Sequence, residues 1–382
     1  VMASLIVSGG FVQAIARKGS FYLGMQQLIM ARHVGWRLYR GGLMSAVIVA
    51  GAALVAGSYF DAFESFVARI VALSYFVMLN ALWLACALLS MRTPAWWVPA
   101  VYVCAGAVFV VARSQFEASA LVAQTAAVVA ALAAANALAW DAFRAAARHD
   151  SRTETIVLPR LPVLLQSLLP FFVYGVAYFA FLFADRLSAG SALPVQSGLT
   201  FGIAVDYKRG IDLAFLVFLV VAGAVECCTV LLMRFWRHTA ERSANVADLR
   251  VELLRRRRKG HLAIIVVSAT CAAIAASAAW RVGFLTNPGY VVFAAGSIGY
   301  SLFAAGLFDA LTLFSVNRPA VVLRALLPAL ALNLVTGYAL SHIVAAEFAV
   351  AGLVVGAAVF MLDARRGVHD ALRRPDYAYS WA

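Results

Sequence analysis

Long apolar runs alternate with short, charge-bearing segments along the whole chain. Most runs approach or exceed the roughly 20 residues that an α-helix needs to cross the hydrocarbon core of a bilayer. The pattern therefore predicts an all-α polytopic membrane protein with about eleven transmembrane helices, the first of them short. The predicted spans cover residues 1–15, 43–59, 66–89, 96–111, 119–140, 163–184, 211–233, 262–280, 290–314, 321–340 and 344–362.

The composition supports this interpretation. Hydrophobic residues make up 64% of the 382 residues and charged residues only 13%, whereas a soluble domain is roughly half apolar and a quarter charged. A soluble fold would have to bury this excess of apolar side chains, but in a bilayer they face lipid.

The placement of the basic residues predicts an orientation. If the first run ends in the cytoplasm, 25 of the 31 Lys and Arg residues fall on the cytoplasmic side and six on the other. Such an asymmetry follows the positive-inside rule and predicts a bacterial inner-membrane protein with a cytoplasmic C-terminus. It also explains the net charge of +13 by cations that flank spans, so no nucleic-acid partner is expected.

Two cytoplasmic stretches, residues 18–40 and 237–259, are amphipathic. The second lies in a basic segment, residues 234–260, and ends in a basic patch that consists of Arg255, Arg256, Arg257, Arg258 and Lys259. Basic runs beside a span attract anionic lipid headgroups. The patch is interpreted as an orientation anchor, with a specific partner site as the alternative.

A polar stretch at residues 151–162, with Pro159 and Pro162, divides the chain. It predicts an N-terminal membrane lobe at residues 1–150 and a C-terminal lobe at residues 151–382. The first half is rich in Ala, and the second is richer in Phe and Leu.

Ionisable residues inside spans are costly and are functional candidates by default. Glu226 lies deep in its span, and no cation lies within one helical turn of it in the sequence. Asp309 lies toward the cytoplasmic end of another span. Both are candidates for a substrate pathway, and the alternative for each is a protonated or hydrogen-bonded structural carboxyl.

Further candidates lie at the outer ends of spans. Asp185 and Arg186 end one span. They are interpreted either as a local ion pair or as part of a functional site. Asp212 follows Asp206, Lys208 and Arg209, and this group predicts either a charged vestibule or a solvated loop.

Asn80 lies in mid-span, where an interhelical hydrogen bond is the usual role of such a group. Pro170 removes a backbone hydrogen bond from its helix and predicts a kink. The five cysteines lie in apolar runs with no zinc or disulfide spacing, and the sequence has no hydrolase, metalloprotease or P-loop motif. No metal or cofactor is therefore expected, and an enzyme is not favoured.

Five stretches follow the order of features in a known transporter family: residues 10–17, 76–90, 164–186, 207–219 and 375–377. Among these features are a span that ends in Asp185 followed by Arg186 and an acidic-aromatic C-terminus. Together they resemble the inner-membrane transporter family of the Pel exopolysaccharide system, within the multidrug/oligosaccharidyl-lipid/polysaccharide (MOP) flippase superfamily.

The resemblance implies a two-lobe fold of twelve helices, of which this chain would supply helices two to twelve. It also implies export of an exopolysaccharide during biofilm formation. The implied partners are the polysaccharide, a cytosolic glycosyltransferase and membrane proteins that respond to cyclic-di-GMP. Buried carboxylates such as Glu226 and Asp309 would suit a partly cationic polymer.

Three hypotheses follow. The first is an exopolysaccharide exporter or flippase, which includes a flippase for lipid-linked oligosaccharides. The second is a small-molecule antiporter similar to the multidrug transporters called MATE, in which Glu226 or Asp309 binds the coupling proton or sodium ion. The third is a membrane-embedded transferase.

Overall fold

A computed structural model describes residues 1–59, 65–94, 96–149, 161–193, 204–240 and 246–373. Within these residues the chain forms eleven α-helices and one short 3₁₀-helix, and no strand, which confirms the all-α prediction. The helices are α1 (Met2–Gly24), α2 (Leu28–Tyr59), α3 (Phe66–Arg92), α4 (Trp97–Gln115), α5 (Ala120–His149), α6 (Leu161–Ser191), α7 (Val205–Ala240), α8 (Val246–Val282), α9 (Asn287–Ser315), α10 (Pro319–Ile343), the 3₁₀-helix (Ala346–Ala349) and α11 (Val350–Ala371).

Ten of the helices in the described residues are long and apolar enough to cross a membrane. They correspond to the second to eleventh predicted spans. The first predicted span falls in α1, which is not among the ten, so a membrane-spanning role for α1 stays a prediction.

Several helices extend well beyond their predicted spans. Residues 28–40, predicted as part of a separate amphipathic stretch, are continuous with the span in α2, and the basic patch is continuous with the span in α8. Neither stretch contains a proline. Adding residues to an existing helix is easier than nucleating a new one, so the helix of the span continues into both stretches. At 1.5 Å per residue α8 is about 55 Å long, so it exceeds the roughly 30 Å hydrocarbon core.

The chain divides into two compact units, Val1–Phe179 and Ala180–Ala382. The first contains α1–α5 and the beginning of α6. Its core is built mainly from Ala and Leu on α1, α2, α3 and α5, including the fully buried Ile15, Leu84 and Leu88. The alanines of this core are small enough to allow the helices to approach closely.

The second unit has an aromatic core. Phe181 of α6 stacks on Phe303 of α9 with ring centroids 4.6 Å apart, and Phe218 of α7 lies 5.2 Å from the Tyr300 ring. Phe360 of α11 completes the group at 5.2 Å from Phe303. Offset and edge contacts between aromatic rings are stabilising beyond their buried area, so α6, α7, α9 and α11 share one core.

Close backbone contacts join α10 to α11. A Cβ atom added to Gly352 would lie 2.3 Å from the Asn333 carbonyl oxygen, and one on Gly356 would lie 2.7 Å from the Ala329 carbonyl oxygen. Only glycine leaves room for these contacts. The spacing of four residues places both glycines on one face of α11.

The predicted lobe boundary at residue 150 stays a prediction. Residues 150–160, around that boundary, lie outside the described residues. So do residues 375–377, which carry the predicted acidic-aromatic C-terminus.

Candidate functional site

Polar side chains of α6, α7 and α9 meet in the second unit. We name Asp185, Arg186, Tyr207, Asp212 and Tyr300 the Asp185 cluster. The Tyr207 hydroxyl donates a 2.7 Å hydrogen bond to Oδ2 of Asp185. The Asp185 side chain is completely buried, and its Oδ1 atom has no hydrogen-bond partner among the described residues. Buried polar atoms are normally hydrogen-bonded, so this oxygen marks a position where a proton or cation would be favourable.

Arg186 points to different partners. Its Nη2 atom lies 2.9 Å from Oδ1 of Asp212 on α7, and its Nη1 atom donates to the Tyr300 hydroxyl at 3.2 Å. The guanidinium also lies 5.3 Å and 5.2 Å from the ring centroids of Phe183 and Phe215. Aromatic faces attract a cation at this distance, so Arg186 is held by both charge and ring contacts.

The neighbouring positions of Asp185 and Arg186 explain this division. Successive residues on a helix are rotated by about 100°, because there are 3.6 residues per turn. Asp185 thus reaches Tyr207 near the start of α7, whereas Arg186 reaches Asp212, more than one turn further along. The ion pair crosses between helices and is not a local pair of adjacent residues.

A second group, the Asp309 cluster, consists of Asp309, Arg257 and His261. Arg257 on α8 donates two parallel hydrogen bonds to the carboxylate of Asp309 on α9, with Nε–Oδ1 at 2.7 Å and Nη2–Oδ2 at 2.8 Å. Nε2 of His261 lies 3.3 Å from Oδ2. The side chains of Asp309 and Arg257 are 0% and 8% exposed, so both oxygens of the carboxylate are engaged in the interior.

The five members of the predicted basic patch do not share one environment. Arg255 is 68% exposed and lies 3.8 Å from Glu252, and Arg256 stacks over Phe235 with its guanidinium carbon 3.7 Å from the ring centroid. Arg258 and Lys259 are exposed. Arg257 alone of the five points into the bundle, so four of the five cations remain for a lipid surface or partner.

Glu226 lies on the side of α7 that faces away from the core of the unit. Val225 and Thr229 beside it are buried, but Glu226 is exposed. In the described part of the chain its carboxylate has no ion pair or hydrogen bond. Glu226, an ionisable residue inside a span, therefore makes no ion pair or hydrogen bond that stabilises the described part of the second unit.

The remaining predicted residues lie elsewhere. Asn80 is completely buried in the first unit, where its Nδ2 atom donates to the Phe76 carbonyl at 2.8 Å and its Oδ1 atom has no partner in the described residues. Pro170 lies inside α6, which continues on both sides of it.

The structure thus brings Asp185, Arg186 and Asp212 together but keeps Asp309 apart. Tyr300 and Asp309 are nine residues apart on α9, which corresponds to about 14 Å along the helix axis. Sequence reasoning missed Tyr207, Tyr300 and His261 as members of these clusters. Tyr207 and His261 lie just before predicted spans, where a single tyrosine or histidine carries no signal by itself. Tyr300 lies well inside the predicted span 290–314, where nothing in the sequence sets its ring apart from the other aromatic residues.

No protein-family model matches this sequence, and no curated protein does. Two solved structures match it. One is an inward-facing conformation of a multidrug resistance MATE family transporter of the MOP superfamily, with a TM-score of 0.63, 16% identity, and coverage of 97% of this chain and 88% of that one.

The other is an outward-facing conformation of a transporter with the same description. Its TM-score is 0.55 at 14% identity, over 97% of this chain and 86% of that one. At such identities the likeness concerns the fold. The chain therefore has the helical fold seen in MATE transporters of the MOP superfamily.

Proposed function

We propose that this chain moves a solute across a membrane as a transporter of the MOP superfamily. The observation that carries the proposal is the fold likeness, which extends over 97% of the chain to two MATE multidrug transporters. The internal polar clusters support it, because ionisable groups inside membrane spans are retained mainly along transport pathways and relays. The neighbours are transporters, and this favours a non-enzymatic role over a transferase.

The substrate we propose is an exopolysaccharide of the Pel type, on the basis of the sequence resemblance. Among the carboxylates predicted to meet a partly cationic polymer, Glu226 fits best, since it is exposed and without a partner in the described residues. Asp309 fits poorly, because Arg257 and His261 occupy both of its oxygens. The function would thus depend on Glu226 more than on Asp309.

A second candidate function is an antiporter coupled to protons or sodium ions. The buried Oδ1 atom of Asp185, which has no partner among the described residues, favours it. A proton on this carboxyl, or a sodium ion beside it, would satisfy that oxygen. The sequence predicted Glu226 or Asp309 as the coupling residue of such an antiporter. In this candidate the coupling residue is instead Asp185.

One pair of assays separates the candidates. Polymer secretion is measured in a cell whose own exporter of this class has been deleted and replaced by this chain. Ion-driven efflux of a cationic dye is measured with purified protein in proteoliposomes. If the chain is an exporter, polymer is secreted, Glu226→Gln reduces the secretion, and no ion-driven efflux occurs. If the chain is an antiporter, ion-driven efflux occurs and Asp185→Asn abolishes it. If neither activity occurs and purified protein instead forms product from a labelled sugar donor, both are wrong.

We also propose an inner-membrane location with the C-terminus in the cytoplasm, based on the 25-to-6 distribution of Lys and Arg. A reporter that fluoresces only in the cytoplasm, fused to the C-terminus, tests it. Under the exporter proposal the cytosolic partner would be a glycosyltransferase, recruited together with membrane proteins responsive to cyclic-di-GMP. Copurification with this chain tests that association.

A further inference from the structure

An apolar groove of about 530 Å³ lies between α7 and α8 in the second unit. It is lined by Leu213, Leu216, Val217, Val220, Cys271, Ile274, Ala275, Ala278, Ala279, Val282 and Phe284. Many of these side chains, such as Leu216, Ile274 and Val282, are exposed. Exposed apolar surface on a membrane-spanning helix faces lipid, so the first candidate to fill a groove in that surface is a lipid chain.

The dimensions of the groove fit one leaflet of a bilayer. Along α8 it extends from Cys271 to Val282, which is about 16 Å at 1.5 Å per residue. This is roughly half of the 30 Å hydrocarbon core. The groove ends where α8 ends, at the opposite end of that helix from the basic patch.

That end of the groove has the features of a membrane interface. Trp280 is 79% exposed, and tryptophan is enriched at the level of the lipid headgroups. Gly283 then adopts a left-handed conformation with φ of 62°, which lets the chain turn back at the helix end. As a result the amide of Phe284 donates to the Ala279 carbonyl at 2.9 Å, and the Phe284 ring closes the groove.

A cation is held over this closing residue. The guanidinium carbon of Arg209, in the first turns of α7, lies 5.7 Å from the centroid of the Phe284 ring. Arg281 is exposed in the last turn of α8. Neither arginine has an acidic partner within ion-pair distance in the described residues, and Asp206, one turn before Arg209, forms no ion pair with it.

We propose that this groove binds one acyl chain of an anionic phospholipid, whose phosphate lies against Arg209 and Arg281. An apolar groove one leaflet deep supplies the site for the chain, and two cations without acidic partners supply complementary charge at headgroup level. The site is separate from the basic patch at the other end of α8, and the proposal does not depend on which solute the protein transports.

The test uses the full chain, purified in detergent, delipidated and titrated with phosphatidylglycerol or phosphatidylcholine. Native mass spectrometry counts the bound lipids. We expect tighter retention of phosphatidylglycerol, an affinity about fivefold lower in Arg209→Ala, as one cation near a charged surface predicts, and loss of the bound lipid in Ala278→Phe, which fills the groove. Both positions are exposed, and size-exclusion chromatography verifies that the variants are folded.

The matched control is Arg113→Ala, which removes an exposed cation near the end of α4 in the first unit and should leave phosphatidylglycerol binding unchanged. Equal binding of both lipids would overturn the anionic specificity. Undiminished phosphatidylglycerol binding in Ala278→Phe would overturn the groove as the site, and a loss in Arg113→Ala equal to that in Arg209→Ala would show that the headgroup is not held by Arg209.

Discussion

Arg257 and Asp309 form a two-pronged ion pair between α8 and α9, with N–O distances of 2.7 and 2.8 Å and almost no solvent exposure. Two parallel hydrogen bonds from a guanidinium to a carboxylate are among the strongest polar contacts in proteins. The pair ties a residue from a run of five cations to the centre of the second unit. The pair therefore holds α8 against α9, and its loss should lower the free energy of unfolding.

We expect Arg257→Met to lower the free energy of unfolding by about 3–5 kcal/mol, because it leaves the Asp309 carboxylate buried without its main partner. Arg255→Met is the control, since that side chain is 68% exposed and surface pairs are worth at most about 1 kcal/mol. The double variant Arg257→Met/Asp309→Leu should recover most of the loss. Thermal unfolding in detergent measures all three, and equal losses in the two single variants would contradict this role of the pair.

Replacing Asp185 by Asn should remove the ionisable carboxyl with little effect on the stability of the fold. The side-chain oxygen of Asn can still accept the hydrogen bond from Tyr207, so we expect a loss of stability of no more than about 1 kcal/mol. The antiporter candidate predicts that coupling disappears in the same variant. Tyr207→Phe is the comparison, because it keeps the carboxyl and removes its donor. An Asp185→Asn protein that still couples ion flow to efflux would exclude Asp185 as the coupling residue.

Glu226→Gln should change the free energy of unfolding by less than about 0.5 kcal/mol, as substitutions of exposed residues without partners usually do. Asp309→Asn makes the same chemical change at a buried, paired position and should be strongly destabilising by comparison. Chemical denaturation of the two variants side by side measures the difference. A large loss in Glu226→Gln would mean that Glu226 has a structural partner, and its role in a pathway would then have to be abandoned.

Gly352→Ala should destabilise the second unit, because the added Cβ would lie 2.3 Å from the Asn333 carbonyl oxygen and α10 and α11 would have to separate. Gly223→Ala on α7 is the matched control. No atom lies within 4 Å of a Cβ at that position, and Ala is favoured over Gly in a helix by about 1 kcal/mol. The midpoint of thermal unfolding should therefore fall in the first variant and rise or stay level in the second.

The hydrophobic pattern predicted the helices well, because each span must satisfy its own backbone in lipid and must be apolar over most of its length. Helix ends were predicted less well. Residues 28–40 and the basic patch continue their helices as amphipathic extensions, and hydropathy alone cannot show where a helix leaves the membrane and continues in water.

The polar contacts were harder to predict. Arg257 and Asp309 are separated by 52 positions in the sequence. Within a run of five cations, the residue types alone do not indicate which side chain is buried. One signal was available: Leu249 and Leu253 are buried at intervals of four residues before Arg257, and Ile264 and Ser268 continue that face after it. Arg257 thus occupies a core position of an amphipathic helix. Glu226, in contrast, lies on the opposite kind of face, although its surroundings in the sequence are just as apolar.

The length of α8 has a mechanical consequence. One helix without a proline carries the basic patch in its third and fourth turns, the ion pair to α9 within that patch, and the lipid-sized groove at its far end. Arg255, Arg257 and Arg258 lie on one continuous helix, so a force applied to Arg255 or Arg258 would reach α9 through the adjacent Arg257–Asp309 ion pair. A protein or surface that binds these exposed cations would therefore act on α9 as well as on α8, because no loop separates the exposed cations from Arg257.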